Sequence, residues 1–264
     1  MTYFKIDRKP QTGESLRRDL AALGVGAGMT LMVHSSLSKI GYVVGGAPVV
    51  VTALIDQLGE DGTLAMPAAS PECSDPATWT SPAVAGEWLE EVRDHLPLFD
   101  IWTTPTAMGA IPETFRTWPG TLRSDDPLVS VCARGPRAPS IVSEHARSFS
   151  EGLRTPFGKL YTLEAWILLL GVGFNRCTAL HFAESLVEKR RTTTSRYAVM
   201  EKGKRVWVEV PNMADDNSVH FPAVGEQYVA TGKAVVGQVG EAQATLLPMR
   251  DLVEFATAYF EREL

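Results

Sequence analysis

Trp166-Ile167-Leu168-Leu169-Leu170-Gly171-Val172-Gly173 is a continuous apolar run of strand length that ends in glycines. Such a run predicts a central strand covered on both faces, because a strand with one wet face would alternate. After the loop at 175–178 comes Ala179-Leu180-His181-Phe182-Ala183-Glu184-Ser185-Leu186-Val187-Glu188, a helical segment with Leu180, Ala183 and Val187 on one side. Strand, loop and helix in that order put His181 in the first turn of the helix, beside the carboxyl edge of the sheet. Open α/β sheets bind their ligands at that edge.

Working outward, the same alternation appears upstream. Leu16, Leu20 and Leu23 repeat at helical spacing before Gly24, a residue suited to a helix C-terminus. Thr30 to Val33 reads as a buried strand running into His34-Ser35-Ser36, residues 47–58 as a helix after Gly45-Gly46, and residues 62–67 as a second strand. Residues 68–110, rich in Pro, Ser, Thr and Trp, show no clear period and read as a binding loop or lid. A short helix at 112–118, a strand at 129–133 and a helical turn at 156–160 follow. Downstream of residue 194 the pattern becomes antiparallel. A hairpin turns at Lys202-Gly203, a short helix at 225–230 precedes strands at 234–239 and 244–247, and an amphipathic helix occupies 249–262. The expected class is α/β, a mixed central sheet flanked by helices with an added antiparallel C-terminal part. Neither linker nor repeat divides it, so residues 1–264 are read as a single domain.

Composition narrows the function. The 264 residues are 45% hydrophobic and 21% charged, which suits a globular core. Lys and Arg number 25 against 31 Asp and Glu, a net charge of −6. That sign repels phosphate backbones and argues against nucleic acid, while it suits a cationic partner. Three cysteines, Cys73, Cys132 and Cys177, form no CxxC pair and point to reduced thiols. The N-terminus lacks an apolar leader core, and the most apolar run is about half a membrane span. A cytoplasmic, non-membrane protein is expected, as monomer or homodimer.

His181 and Glu184, three apart on a helix, share a face. A carboxylate on one imidazole nitrogen fixes the tautomer, and the other nitrogen can then take a proton as a general base. On spacing alone a plain surface pair is the better fit; the position directly after a buried strand raises the catalytic reading. A metal site joining His34 to His181 lacks HxH, HExxH or paired-Cys spacing, so no metal is expected. Cys177 just before His181 leaves a thiol nucleophile, and with it a hydrolase, as an alternative. The segment 34–41 with Val44-Gly45-Gly46 between a strand and a helix start reads either as a phosphate-holding loop or as an ordinary turn. Acidic residues collect in loops at Glu72, Asp75, Asp100, Asp125-Asp126 and Asp215-Asp216. Most read as solvated, and some can line a negative cleft.

The motifs VHSSLSKIGYVVGG (33–46), GTLAMPA (62–68), FDIWTTPTAMGAIPETFRTWPGTLRS (99–124), TPFGKLY (155–161) and LLLGVGFNRCTALHFAE (168–184) occur in an order that resembles the aminoglycoside 3-N-acetyltransferase family. The resemblance spans about residues 12–260 and is specific in combination rather than motif by motif. It implies an acetyl-CoA-dependent enzyme that acetylates the 3-amino group of the deoxystreptamine ring by direct transfer in a ternary complex. His181 matches the family's catalytic histidine and Glu184 the acidic residue after it. Ser35, Ser36, Leu37, Ser38, Val44, Gly45 and Gly46, with Thr104, Thr106, Met108 and Gly109, match regions that bind coenzyme A. Glu72, Asp75, Asp126, Asn175, Asp215 and Asp216 become candidates for holding the acceptor. Two positions depart from the family: Asp126-Pro127 stands where His-Pro is common, and Asn175 where an Asp is common. Both lie on the expected acceptor side and bear on acceptor range. The alternatives are the same fold acting on a different amine, or a non-catalytic polycation-binding protein.

Overall fold

The computed structural model describes residues 6–214 and 217–263. The elements run α1 (Gly13–Leu23), β1 (Thr30–Ser35), α2 (Ala47–Leu58), β2 (Thr63–Pro67), α3 (Leu89–His95), α4 (Ala110–Arg116), β3 (Leu122–Arg123), β4 (Val131–Arg134), α5 (Ala138–Val142), α6 (Pro156–Thr162), β5 (Trp166–Leu170), α7 (Ala179–Leu186), β6 (Thr192–Glu201), β7 (Lys204–Met213), α8 (Phe221–Ala230), β8 (Val235–Val239), β9 (Ala242–Pro248) and α9 (Met249–Glu263).

Seven strands form one mixed sheet in the order β3-β4-β2-β1-β5-β9-β8. β1 pairs in parallel with β2 on one side and β5 on the other, and the outer pairs are antiparallel. The apolar run of β5 is explained by what covers it. Leu168 and Leu170 face a core shared with α1, α2 and α4, while Ile167 and Leu169 face a second core shared with α5 to α9. β1 alternates in the same way, with Leu31 and Val33 on the first face and Met32 on the second. A sheet dry on both sides has no polar alternation to show.

Local chemistry agrees with the packing. The Thr12 hydroxyl accepts from the Ser15 amide at 3.1 Å and the Ser15 hydroxyl from the Thr12 amide at 3.0 Å, a reciprocal cap at the start of α1. Gly24 ends the same helix at φ 103°, the left-handed region that favours glycine.

Three features add to the expected elements. The 68–110 stretch is not featureless: it holds three short 3-10 turns and α3, whose charged sequence LEEVRDH has no apolar stripe to announce a helix. The hairpin β6–β7 does not extend the central sheet but forms a separate two-stranded one, with both arms ten residues long. β3 is a two-residue strand too short to leave a pattern. No helix among the described residues is long and apolar enough to cross a membrane.

Candidate active site

β1 stands between β2, which follows it, and β5, which comes later in the chain. The connections diverge at that point, and a crevice opens beyond the carboxyl ends of the three parallel strands. There the chain forms a cleft of about 500 Å³. Its wall takes His34 to Ser38 from the end of β1, Pro67 from β2, residues 107–112 from the start of α4, and Val172, Arg176 and Thr178 from the loop after β5.

The expected donor-binding residues divide here. Ser35, Ser36, Leu37 and Ser38 line the cleft with Met108 and Gly109. Gly109 sits at φ 98° with no atom within 4 Å of where a Cβ would point, so a ligand can lie directly against its backbone. Val44, Gly45 and Gly46 do not line it; they shape the turn into α2, with both glycines at positive φ. Thr104 and Thr106 are also outside the wall, and their polar groups are used within the loop. The Thr104 amide donates to the Asp100 carbonyl, the Thr106 amide to Glu113 Oε2, and the Thr106 hydroxyl to the Ala69 carbonyl. That loop is fastened by Arg123, which donates to the carbonyls of Ala68 and Thr104 and the hydroxyls of Ser70 and Ser130, and stacks on Phe99.

His181 lies on α7, one turn beyond Thr178, whose carbonyl accepts its amide at 3.0 Å. Its Nδ1 donates to Glu184 Oε2 at 2.7 Å, and Glu184 is 3% exposed. The other carboxylate oxygen, Oε1, accepts from the Asn217 amide at 3.1 Å. The Phe221 ring meets the imidazole edge-on at 4.8 Å between centroids. Glu184 therefore holds the ring at one nitrogen while α8 supports it from the side, which fixes the tautomer that carries a lone pair on Nε2.

The acidic candidates separate by burial. Asp75 is buried and fully engaged: Arg93 donates to both its oxygens and Arg196 to Oδ2 at 2.7 Å. Burial pushes its carboxyl up, but the hydrogen bonds from Arg93, the Ala77 amide and Arg196 outweigh this and hold it below the usual range. It joins loop, helix and hairpin and offers nothing to a ligand. Asp126 is also buried, with Oδ1 accepting from the amides of Leu128 and Val129. Glu72 and Asn175 are exposed on short turns. Asp215 and Asp216 lie outside the described residues.

Sequence reading missed Glu151. This half-buried residue is held above the usual carboxylate range by burial; the positive field of His181 pulls it down, and Asp126 and Glu184 push it up. Its loop is tied to that of Asp126 by His145, whose Nε2 donates to the Ser150 carbonyl while Nδ1 accepts from the Ser124 hydroxyl. A lone Glu in a turn carries no pattern that would mark it.

The cysteines are all buried and free. Burial pushes the Cys177 thiol up to about 12, so it stays protonated at neutral pH and unsuited to nucleophilic attack. No group of three or more metal-binding side chains occurs among the described residues.

Fold, site and kinship together define an enzyme of the acetyltransferase class. The chain belongs to the aminoglycoside 3-N-acetyltransferase family, which matches residues 32–261. It is 40% identical over 253 residues to the SPbeta prophage-derived aminoglycoside N(3')-acetyltransferase-like protein YokD of Bacillus subtilis (strain 168), covering 95% of this chain and 93% of that one. The crystal structure of YokD superposes with a TM-score of 0.94 at 39% identity, over 97% of this chain and 95% of that one. Aminoglycoside N(3)-acetyltransferase III of Pseudomonas aeruginosa is 35% identical, with 96% and 94% covered. A structure of AAC-IIIb in binary complex with CoASH gives a TM-score of 0.85 at 28% identity, over 97% and 98% of the two chains.

Proposed function

We propose that this chain transfers the acetyl group of acetyl-CoA directly to the 3-amino group of the 2-deoxystreptamine ring of an aminoglycoside, in a ternary complex, and so confers antibiotic resistance. The observation that carries the reading is the 2.7 Å bond between His181 Nδ1 and buried Glu184, one turn from the wall of a cleft lined by the serine loop. An aminoglycoside amine is largely protonated at neutral pH and cannot attack while charged. The ammonium proton is therefore lost to solvent before attack, and His181 Nε2 takes a second proton from the neutral amine as its nitrogen bonds the thioester carbon, a contribution of roughly 10²–10⁴-fold. Glu184 stabilises the imidazolium that forms. Holding donor and acceptor together adds the proximity contribution.

The cleft suits the pantetheine arm of the donor. Its lining offers backbone approach at Gly109 and hydroxyls from Ser35, Ser36 and Ser38. The acceptor's remaining ammonium groups face the carboxylates around His181, of which Glu151 is one. A single cytoplasmic domain, acting as monomer or homodimer, suffices for this chemistry.

The test is release of free coenzyme A from acetyl-CoA, measured across aminoglycosides and simple amines. Release that requires an aminoglycoside, with acetate mapped to the 3-amino nitrogen, is expected. Equal turnover with simple amines would shift the acceptor class, and release without any amine would make the protein a hydrolase.

A further inference from the structure

The reaction needs a donor for the oxygen that becomes negative. Thr104 and Thr106 stand outside the cleft wall, and their amides and the Thr106 hydroxyl already donate within their own loop. His34 stands at the end of β1, where its alternation places it on the Met32 face, opposite Leu169 in the register with β5. That face is the one covered by α7, which carries His181. His34 also lines the cleft, together with Arg176 and Thr178 of the loop that leads into α7. The cleft thus runs between the strand end that bears His34 and the loop that presents His181.

The state of the ring is unusual for a side chain with only a packing role. His34 is 4% exposed, and its Nε2 is buried without a hydrogen-bond partner among the described residues. The next residue, Ser35, has a buried hydroxyl in the same condition. An unpaired buried polar atom is a standing penalty that a bound substrate can relieve. Burial also lowers the His34 pKa to about 4, so the ring is neutral at working pH. So weak a base does not compete with His181 for the amine's proton, yet it keeps one N–H to donate.

We propose that the Nε2–H of His34 hydrogen-bonds the carbonyl oxygen of the acetyl thioester and stabilises the charge that develops on it. The inference rests on the acetyl-CoA reading above. As the amine nitrogen forms its bond to the carbonyl carbon, the C=O π pair moves onto the oxygen facing His34. The pair then returns, the C–S bond breaks, and the coenzyme A thiolate takes the proton held by His181. His34 gains and loses no proton.

The experiment uses the whole protein with acetyl-CoA labelled with ¹³C at the carbonyl, and no acceptor. Binding is measured by calorimetry and the thioester carbonyl stretch by isotope-edited infrared spectroscopy. The wild-type band is expected below its position in free acetyl-CoA. In His34→Leu it should return to the free position, with kcat down by about 10²–10³-fold and the acetyl-CoA Kd within about threefold. His34→Gln, which keeps an N–H, should retain part of the band shift and part of the rate. An unshifted wild-type band overturns the inference even if His34→Leu does not fold. So does a shift that persists in folded His34→Leu, or a Gln variant no better than Leu in both readouts. If acetyl-CoA fails to bind the wild type at all, the donor reading itself falls; if it binds and the band ignores His34, only this inference does.

Discussion

Arg196 on β6 donates to Asp75 Oδ2 at 2.7 Å across 121 residues of sequence. Arg93 on α3 grips the same carboxylate at both oxygens, at 2.9 and 2.8 Å. The backbone repeats the tie, since the Asp75 amide donates to the Arg196 carbonyl at 2.8 Å. Arg205 of β7 extends it by donating to the carbonyls of Arg93, Asp94 and Leu96. One buried carboxylate therefore fastens the 68–110 segment, whose end lines the cleft, to the hairpin.

Removing that carboxylate leaves two guanidinium groups facing each other. Asp75→Ala should destabilise the protein by about 3 kcal/mol, the low end for breaking a buried pair, because the Arg196 side chain is 34% exposed. Its folded pKa lies below the ordinary value near 3.8, so its contribution is present above that pH and is lost as pH falls below it. Chemical denaturation of wild type and variant at pH 7 and pH 3 should show the difference narrowing in acid. Because the carboxylate is fully engaged, the acceptor KM of a folded variant at low temperature should stay near wild type.

His181→Ala should lower kcat by about 10²–10⁴-fold while the acetyl-CoA Kd changes little. Glu184→Gln should cost less and shift the acid limb of the pH–rate profile, since the imidazole loses a charged partner but keeps a hydrogen-bonding one. Steady-state kinetics with calorimetry of donor binding reads both. A His181 variant within threefold of wild type would remove the residue from the mechanism.

Much of the fold was legible because its strongest signals are local. The run at 166–173 could be read as a doubly covered strand, and Leu16, Leu20 and Leu23 as one face of a helix, since burial imposes those periods directly. α3 was not legible because it has no apolar stripe: Glu90 and Glu91 pair within the helix with Arg93 and His95, and the tie that places it runs from Arg93 to Asp75. The site divides in the same way. His181 and Glu184 are neighbours on one helix, so their spacing carries information. Asp75 looked like any loop carboxylate, for its arginines come from α3 and β6, and the Glu151 loop is placed by bonds to distant segments, from His145 to Ser124 and from the Phe149 amide to the Pro211 carbonyl. Which residues meet His34 is likewise a matter of strand order, which no single segment encodes.

Glu151→Gln removes a carboxylate near His181 without removing side-chain volume. The acceptor KM for a polycationic aminoglycoside should rise several-fold, and its increase with salt should become shallower, while the acetyl-CoA KM stays constant. KM measured at low and high ionic strength for both substrates tests this. A salt dependence identical in variant and wild type would place Glu151 outside the acceptor's field.

The thiols give a check on burial. With Cys132 and Cys177 both pushed up to about 12 and buried, native protein should react with a thiol-specific disulfide reagent only on the timescale of unfolding. Adding denaturant should release all three equivalents. Rapid modification of Cys177 in the folded state, with loss of activity, would reopen its role as a nucleophile.

Two glycines separate a donor contact from a turn. Gly46 and Gly109 both adopt positive φ, at 67° and 98°, and neither would place a Cβ within 4 Å of another atom. A valine at either position therefore meets the same kind of backbone strain, of order 1–3 kcal/mol. Only Gly109 lines the cleft, whereas Gly46 caps the start of α2 outside it. Gly109→Val should lower the melting temperature and also raise the acetyl-CoA KM at least several-fold, because the side chain stands where the donor would approach the backbone. Gly46→Val should lower the melting temperature by a similar amount and leave the donor KM unchanged. Aminoglycoside binding measured without donor should be intact in both. Measuring melting temperature and donor KM on the same preparations distinguishes strain from obstruction. A donor KM that rises equally in both variants would carry the coenzyme contact over to the turn before α2, and an unchanged KM in folded Gly109→Val would take it away from the start of α4.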